Sequence, residues 1–204
     1  MNKIIKNTLI LTIITLVAGT LLGLVYEVTK APIAVAEENA KQKAYKTVLS
    51  DAANFEEYAD FDESEAAKAL KAAGYTADDI TEVAVAKDKS GEDMGYVVTV
   101  TSHEGYGGDI VVSVGILSDG TVKGIEMLTI AETAGLGMKA TEPAFKDQFK
   151  DKQVEKFAYT KTGEKGDDKI DALSGATITT NAVTNAVDSA LAYFQNVLGG
   201  SVNE

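Results

Sequence analysis

The stretch DIVVSVGILSDGTVKGIEMLTI, Asp109 to Ile130, decides the fold. Two runs rich in valine and isoleucine, Asp109 to Ser118 and Thr121 to Ile130, are separated only by Asp119-Gly120. Much of each run alternates between apolar and polar residues, which suits a pleated strand, and an Asp-Gly joint is a strong hairpin signal. A two-residue joint leaves no room for a crossover helix, so the pair is antiparallel. Working back along the chain, GYVVTVTS (Gly95 to Ser102) and ITEVAVAK (Ile80 to Lys87) read as two more strands, linked by the turn-rich segments HEGYGG and DKSGEDM. The expectation is a four-stranded antiparallel meander.

Forward of Ile130 the pattern breaks into AETAGLGMKA, Ala131 to Ala140, a glycine-containing loop. A short helix, EPAFKDQFK, is predicted next with Pro143 near its first turn, and VEKFAYT offers one edge strand. From Val183 to Leu198 apolar residues recur at helical spacing before Gly199-Gly200, which predicts an amphipathic C-terminal helix beginning at Thr179 to Asn181. Upstream of the strands, SEAAKALKAA (Ser64 to Ala73) reads as a helix with a serine cap and a stop at Gly74. The fold class is α+β, an antiparallel sheet covered by helices.

Near the N-terminus, Thr8 to Tyr26 (TLILTIITLVAGTLLGLVY) carries no charge and matches the roughly 20 residues that cross a bilayer as a helix. Lys3 and Lys6 precede it and Glu27 follows it, so the positive-inside bias places the N-terminus in the cytoplasm and the rest outside. A cleaved signal peptide is the plainer reading, with Ala34 to Ala36 as its site, but that site lies well beyond the apolar core. Ile33 to Leu49, rich in Ala, Lys and Glu, predicts a second helix leaving the membrane after Pro32. The expected division is an anchor at 1–30, a helical stalk and linker at 31–78, and an α+β domain at 79–204.

Composition excludes several functions. The formal charge is -12 and the basic residues are all lysine, which argues against nucleic acid as a partner and leaves no guanidinium to grip a phosphate. The chain has no cysteine, so thiolate-held clusters, disulfides and a cysteine nucleophile are absent. His103 is the only histidine and is expected at the surface or half buried, so neither a metal site nor a catalytic residue is predicted.

Two glycine-containing loops remain. SGATITT, Ser174 to Thr180, lies at the start of the last helix, where free N–H groups and the helix dipole attract a phosphate. The competing reading is an ordinary helix start, since serine and threonine are the usual caps. ETAGLG, Glu132 to Gly137, could set backbone amides and a leucine against a flat ligand, or could simply turn the chain. Gly105 to Gly108, GYGG, reads as a hairpin tip. Neither a dinucleotide fingerprint nor a P-loop is present.

Asp171-Ala-Leu-Ser174-Gly175-Ala176-Thr177 resembles the D-x-x-[S/T]-G-A-T motif of domains that carry FMN through a phosphoester to the last threonine, and ETAGLG resembles their E-T-x-G-L-G segment, with Ala134 where proline is common. With the anchor and an external domain, the layout resembles the G component of Rnf-type ion-translocating ferredoxin:NAD oxidoreductases, and less closely the C component of the sodium-pumping NADH:quinone oxidoreductase. The resemblance implies FMN attached to Thr177 by a separate flavin transferase. It implies phosphate contacts from Ser174 and Thr180 beside Gly175 and Ala176, and a role for Asp171 in orienting the hydroxyl or in helping the transferase bind a metal. Glu132, Thr133, Gly135, Leu136 and Gly137 would neighbour the flavin, Tyr106 would stack on it, and Lys139 or Lys169 would balance its phosphate. It further implies an electron relay in the membrane, with polytopic and redox subunits as partners, one of them a second FMN carrier. A stand-alone surface flavoprotein and an anchored scaffold without cofactor are the alternatives.

Overall fold

The computed structural model describes residues 2–199, so Gly200, part of the expected helix stop, lies outside them. The chain forms two units, one running up to Lys41 and a second from Gln42 onward.

The first unit belongs to helix α1, Lys3–Val48, which continues through Pro32. This corrects the expected break. A proline forfeits one backbone hydrogen bond, and here the helix formers of Ala34 to Lys46 carry the helix across that gap. The apolar stretch is exposed on every side, with Leu16 and Leu22 about two-thirds accessible. A helix with apolar residues all round and none of its apolar window packed against protein is long enough to cross a bilayer.

In the second unit the last residues of α1 lead to strand β1 (Asn54–Glu57) and helix α2 (Glu63–Ala73). The cap of α2 is Asp62, whose side chain accepts from the Glu65 amide, two residues before the expected serine; Gly74 closes the helix in the left-handed conformation as expected. The meander follows as β2 (Asp78–Lys87), β3 (Asp93–Ser102), β4 (Ile110–Leu117) and β5 (Val122–Thr129). These are the four expected strands within a residue or two at each end. The sheet has a fifth, because β1 pairs antiparallel along the edge of β2, giving the order β1-β2-β3-β4-β5.

Beyond β5 a 3-10 turn (Gly137–Thr141), helix α3 (Pro143–Lys146) and another 3-10 turn (Asp147–Phe149) replace the single predicted helix. Phe145, Phe149 and Phe157 stack edge to face at 5.7 and 5.0 Å and fasten this segment to the core. The VEKFAYT strand is not an edge of the main sheet. Its β6 (Ala158–Thr160) pairs in parallel with β7 (Lys169–Asp171), three residues on each side. The chain then enters α4, Thr177–Asn196, two residues earlier than expected; Val197 and Leu198 follow its end and still pack on the core.

Burial explains the order of the layers. Val98, Val100, Val112 and Val114 on one face of the sheet meet Val183, Ala186, Val187 and Leu191 of α4, with Leu70 of α2 beside them. Each such side chain contributes about 1.5–3 kcal/mol when fully buried. On the other face Tyr45, Val48 and Leu49 from the end of α1 cover Ala84, Ala86 and Val97. The sheet thus packs against helices on both faces at its centre, and the start of α4 emerges beside the loop that follows β5.

Candidate functional site

Three chain segments converge beside the first turn of α4. They enclose a cleft of about 600 Å³ lined by Tyr106, Glu132, Thr133, Leu136, Gly137, Gly175, Ala176, Thr177, Ile178 and Thr179. That volume lies within the range of small-molecule sites.

The ETAGLG loop is a turn closed on the Thr133 carbonyl, which accepts from the amides of Leu136 and Met138 at 3.1 and 3.2 Å. The loop meets α4 at Gly137. A Cβ there would stand 2.6 Å from Thr179 Oγ1 and 2.7 Å from Glu132 Oε2, so only glycine permits the approach. The buried Glu132 carboxylate ties this loop to the GYGG tip: its Oε1 accepts from the Tyr106 amide at 2.7 Å and the Gly107 amide at 3.2 Å. The tip is therefore a braced wall of the cleft.

At the SGAT loop, Gly175 takes a positive φ of 76°, and α4 starts directly after it with no side-chain cap. This corrects the reading of SGATITT as a capped helix start. The first hydrogen bond of the helix runs from the Thr180 amide to the Ala176 carbonyl. The amides of Thr177, Ile178 and Thr179 consequently have no partner within the helix and sit at its positive end.

The hydroxyls in this turn divide sharply. Thr180 is fully buried; its Oγ1 donates to the Ala176 carbonyl at 2.9 Å and accepts from the Leu173 amide at 3.0 Å. Thr184 donates its hydroxyl to the Thr180 carbonyl. Thr179 is 1% exposed. Thr177 is half buried on the cleft wall, and its hydroxyl has no hydrogen-bond partner among the described residues. Of these four threonines it is the one that is both accessible and uncommitted.

Other expected neighbours stand apart. Ser174, Gly135, Asp171 and Thr180 do not line the cleft. Thr180 braces the loop from behind, in place of the expected phosphate contact. Asp171 exchanges backbone hydrogen bonds with the Gln148 side chain and pairs with Lys165 at 3.1 Å. Among the lining residues there is no lysine: Lys139 is exposed outside the cleft, and Lys169 pairs with Asp168 at 3.0 Å. Ile178 and Thr179 line it although they were not expected there. A helix start placed two residues too late hid them, and alternation of apolar and small residues from Ala176 to Thr179 was the available cue.

Thr180→Val should therefore damage the loop without touching the cleft surface. It removes two buried hydrogen bonds and strands the Leu173 amide, at a cost of about 1–3 kcal/mol. Thermal unfolding should show a Tm several degrees lower; an unchanged Tm would show that the bracing is unimportant.

Residues 105–192 match the family profile of the FMN-binding domain, and residues 1–48 match that of the RnfG N-terminal region. The chain is 34% identical over 196 residues to the G component of the Na(+)-translocating ferredoxin:NAD(+) oxidoreductase complex of Acetobacterium woodii, covering 95% of this chain and 93% of that one. The chain belongs to the RnfG family of ion-translocating oxidoreductase complexes. A second relative, the G component of the ion-translocating oxidoreductase complex of Methanosarcina acetivorans, is also 34% identical, over 94% of this chain and 95% of its own. The fold is similar to that of the crystal structure of the C component of the Na(+)-translocating NADH-quinone reductase from Parabacteroides distasonis, with a TM-score of 0.51 over 74% of this chain and 79% of that one at 23% identity. The FMN-binding match of this RnfG family member spans all three segments of the cleft.

The residues present fit FMN. Outside α1 the exposed large apolar side chains among the described residues are Tyr106, Leu136, Tyr159 and Ile178, and three of these line the cleft. Such a cluster offers a flat ring system an apolar surface, while the free amides at the α4 start would suit a phosphate.

Proposed function

We propose that this chain is an electron-transfer subunit of a membrane-bound ion-translocating ferredoxin:NAD+ oxidoreductase, holding FMN through a phosphoester to the Thr177 hydroxyl. The observation that carries the reading is the uncommitted Thr177 hydroxyl at the N-terminus of α4, on the wall of a cleft rimmed with exposed apolar side chains. FMN, when bound, supplies one- and two-electron chemistry. The protein supplies position. The amides of Ile178 and Thr179 would hold the phosphate, Leu136 and Ile178 would contribute apolar contact, and Tyr106 would offer an aromatic ring. Glu132 keeps Tyr106 in place by binding its backbone. No general base is needed on this chain, because a flavin transferase would make the ester from outside.

In this reading α1 anchors the protein, with the N-terminus in the cytoplasm and the FMN domain on the outer side, where it associates with polytopic and redox subunits, a second FMN carrier among them. The test is production of the full chain alongside a flavin transferase, then denaturing electrophoresis. A fluorescent band at this chain's mass is expected. A colourless band would end the covalent-flavin reading. Gentle detergent extraction should bring polytopic subunits with it, whereas isolation alone would favour a free-standing carrier.

A further inference from the structure

The only histidine in the sequence stands at the root of the Tyr106 loop, outside the cleft. His103 follows β3, its amide donates to the Ala77 carbonyl, and its ring lies between two carboxylates on different segments. Nδ1 is 2.9 Å from Asp109 Oδ1, just before β4, and Nε2 is 3.0 Å from Asp79 Oδ2 on β2. A carboxylate can only accept, so both bonds form together only when the ring is an imidazolium donating from each nitrogen. In the neutral ring one nitrogen turns a lone pair toward a negative oxygen. The buried Asp78 on β2 lies within reach of both His103 and Glu104, and Glu63 of α2 lines a groove with Asp79. All are acidic. No lysine pairs with either Asp79 or Asp109 among the described residues.

The loop between His103 and Asp109 has three fastenings. Its root is held by the His103 bridge, Glu104 accepts from the Asn185 side chain of α4 at 2.6 Å, and the tip amides donate to Glu132. Of the three, only the root is held by an imidazole.

We infer that His103 is a positioning residue for the cleft: as an imidazolium it clips the Glu104 to Gly108 loop at its root and so sets the place of Tyr106, and on losing its proton it lets that wall loosen. Asp109 and then Asp79 hold the imidazole above its ordinary value near 6.5. A raised folded-state value means that the fastening is fully present below the ordinary histidine range and is lost as pH rises through the raised value. Opening of the cleft wall is thereby tied to alkalinity. The consequence for the flavin rests on the FMN reading; the order of the loop does not.

The test is hydrogen exchange of the full chain in detergent, without flavin, across pH 5.5 to 8.5 and corrected for intrinsic rates. Exchange in residues 104–108 should rise on the order of tenfold as His103 deprotonates, in keeping with the loss of one charge-assisted hydrogen bond. Peptides from α4 and β3 should show no such step, which separates loop release from unfolding. His103→Gln should abolish the step, and Asp109→Asn should move it to lower pH. A step that persists in His103→Gln, or an imidazole that titrates by NMR with loop exchange unchanged, would overturn the inference. Repeating the series on flavin-loaded protein separates the two readings: a loop step in a chain that never takes flavin leaves the clip standing and removes FMN.

Discussion

Thr177→Ala is expected to abolish polypeptide-bound flavin, with the fold intact and the denatured band colourless. The expectation rests on how the hydroxyls of one turn are used. Thr180 and Thr184 are bonded to backbone carbonyls, Thr179 is enclosed by Glu132 and Gly137, and only Thr177 faces the cleft with its oxygen uncommitted. Thr133, the other accessible threonine of the lining, lies on the ETAGLG loop and away from the helix start, so removing Thr177 takes away the one accessible hydroxyl beside the free amides and the effect should be large. Thr177→Ser keeps an oxygen at the same helix position and should retain flavin, whereas Thr177→Val keeps the shape and should not. Loss of one exposed hydroxyl at a helix start costs little stability, so the Tm should move by no more than about a degree or two. Fluorescence in the alanine variant would move the attachment elsewhere, and Ser174, exposed in the neighbouring turn, would be tested next.

The second large effect is a dependence of stability on pH set by Asp188. This residue lies on the buried face of α4, about 16 Å along the helix from Thr177 at 1.5 Å per residue. Its Oδ1 accepts from the Phe157 amide at 2.7 Å, and Tyr75 and the buried Asp78 lie beside it. Burial pushes the Asp188 carboxyl up to about 7, and burial with the nearby carboxylates pushes the Tyr75 hydroxyl up to about 12. In the unfolded chain the same carboxyl titrates near 4. Between these values the folded protein keeps a proton that the unfolded chain has lost. Unfolding there releases it, so stability falls as pH rises from about 4 to about 7 and levels off above. A displacement of this size corresponds to a few kcal/mol. Asp188→Asn cannot ionise and should flatten this contribution, making the variant more stable than the wild type at pH 8 and similar to it at pH 4. Urea unfolding of the full chain in detergent, followed by near-ultraviolet circular dichroism of the tyrosines, measures the difference. His103 contributes equally to both proteins and cancels in the difference curve, which reports Asp188 together with its coupling to Asp78. Parallel curves for the two proteins would refute the assignment.

The meander was legible because every cue agreed: alternation, β-branched residues and an Asp-Gly joint all describe the same hairpins. β1 was not, because NFEE is short, acidic and an edge strand, so its pairing with Ala84 to Lys87 supplies what its composition does not. β6 and β7 are three residues each and exist through contact with one another. At the site, the motifs pointed to the correct two loops, while the division of labour within them was hidden. Spacing alone could not tell that Thr180 points inward and Thr177 into the cleft, since a helix start displaced by two residues rotates every hydroxyl. Nor could it show that Glu132 binds amides about 25 residues upstream, a contact made only when β3, β4 and β5 lie side by side.

The cleft wall has a charge pattern with its own consequence. A chain with 19 basic residues places none of them along this lining, and the one ionisable carboxylate present, Glu132, is held there by backbone amides. A ligand that takes up an electron there without a proton gains its charge beside that carboxylate, with the helix amides in compensation. In the proposed reading a bound FMN would meet one carboxylate opposing added electron density and helix amides favouring it.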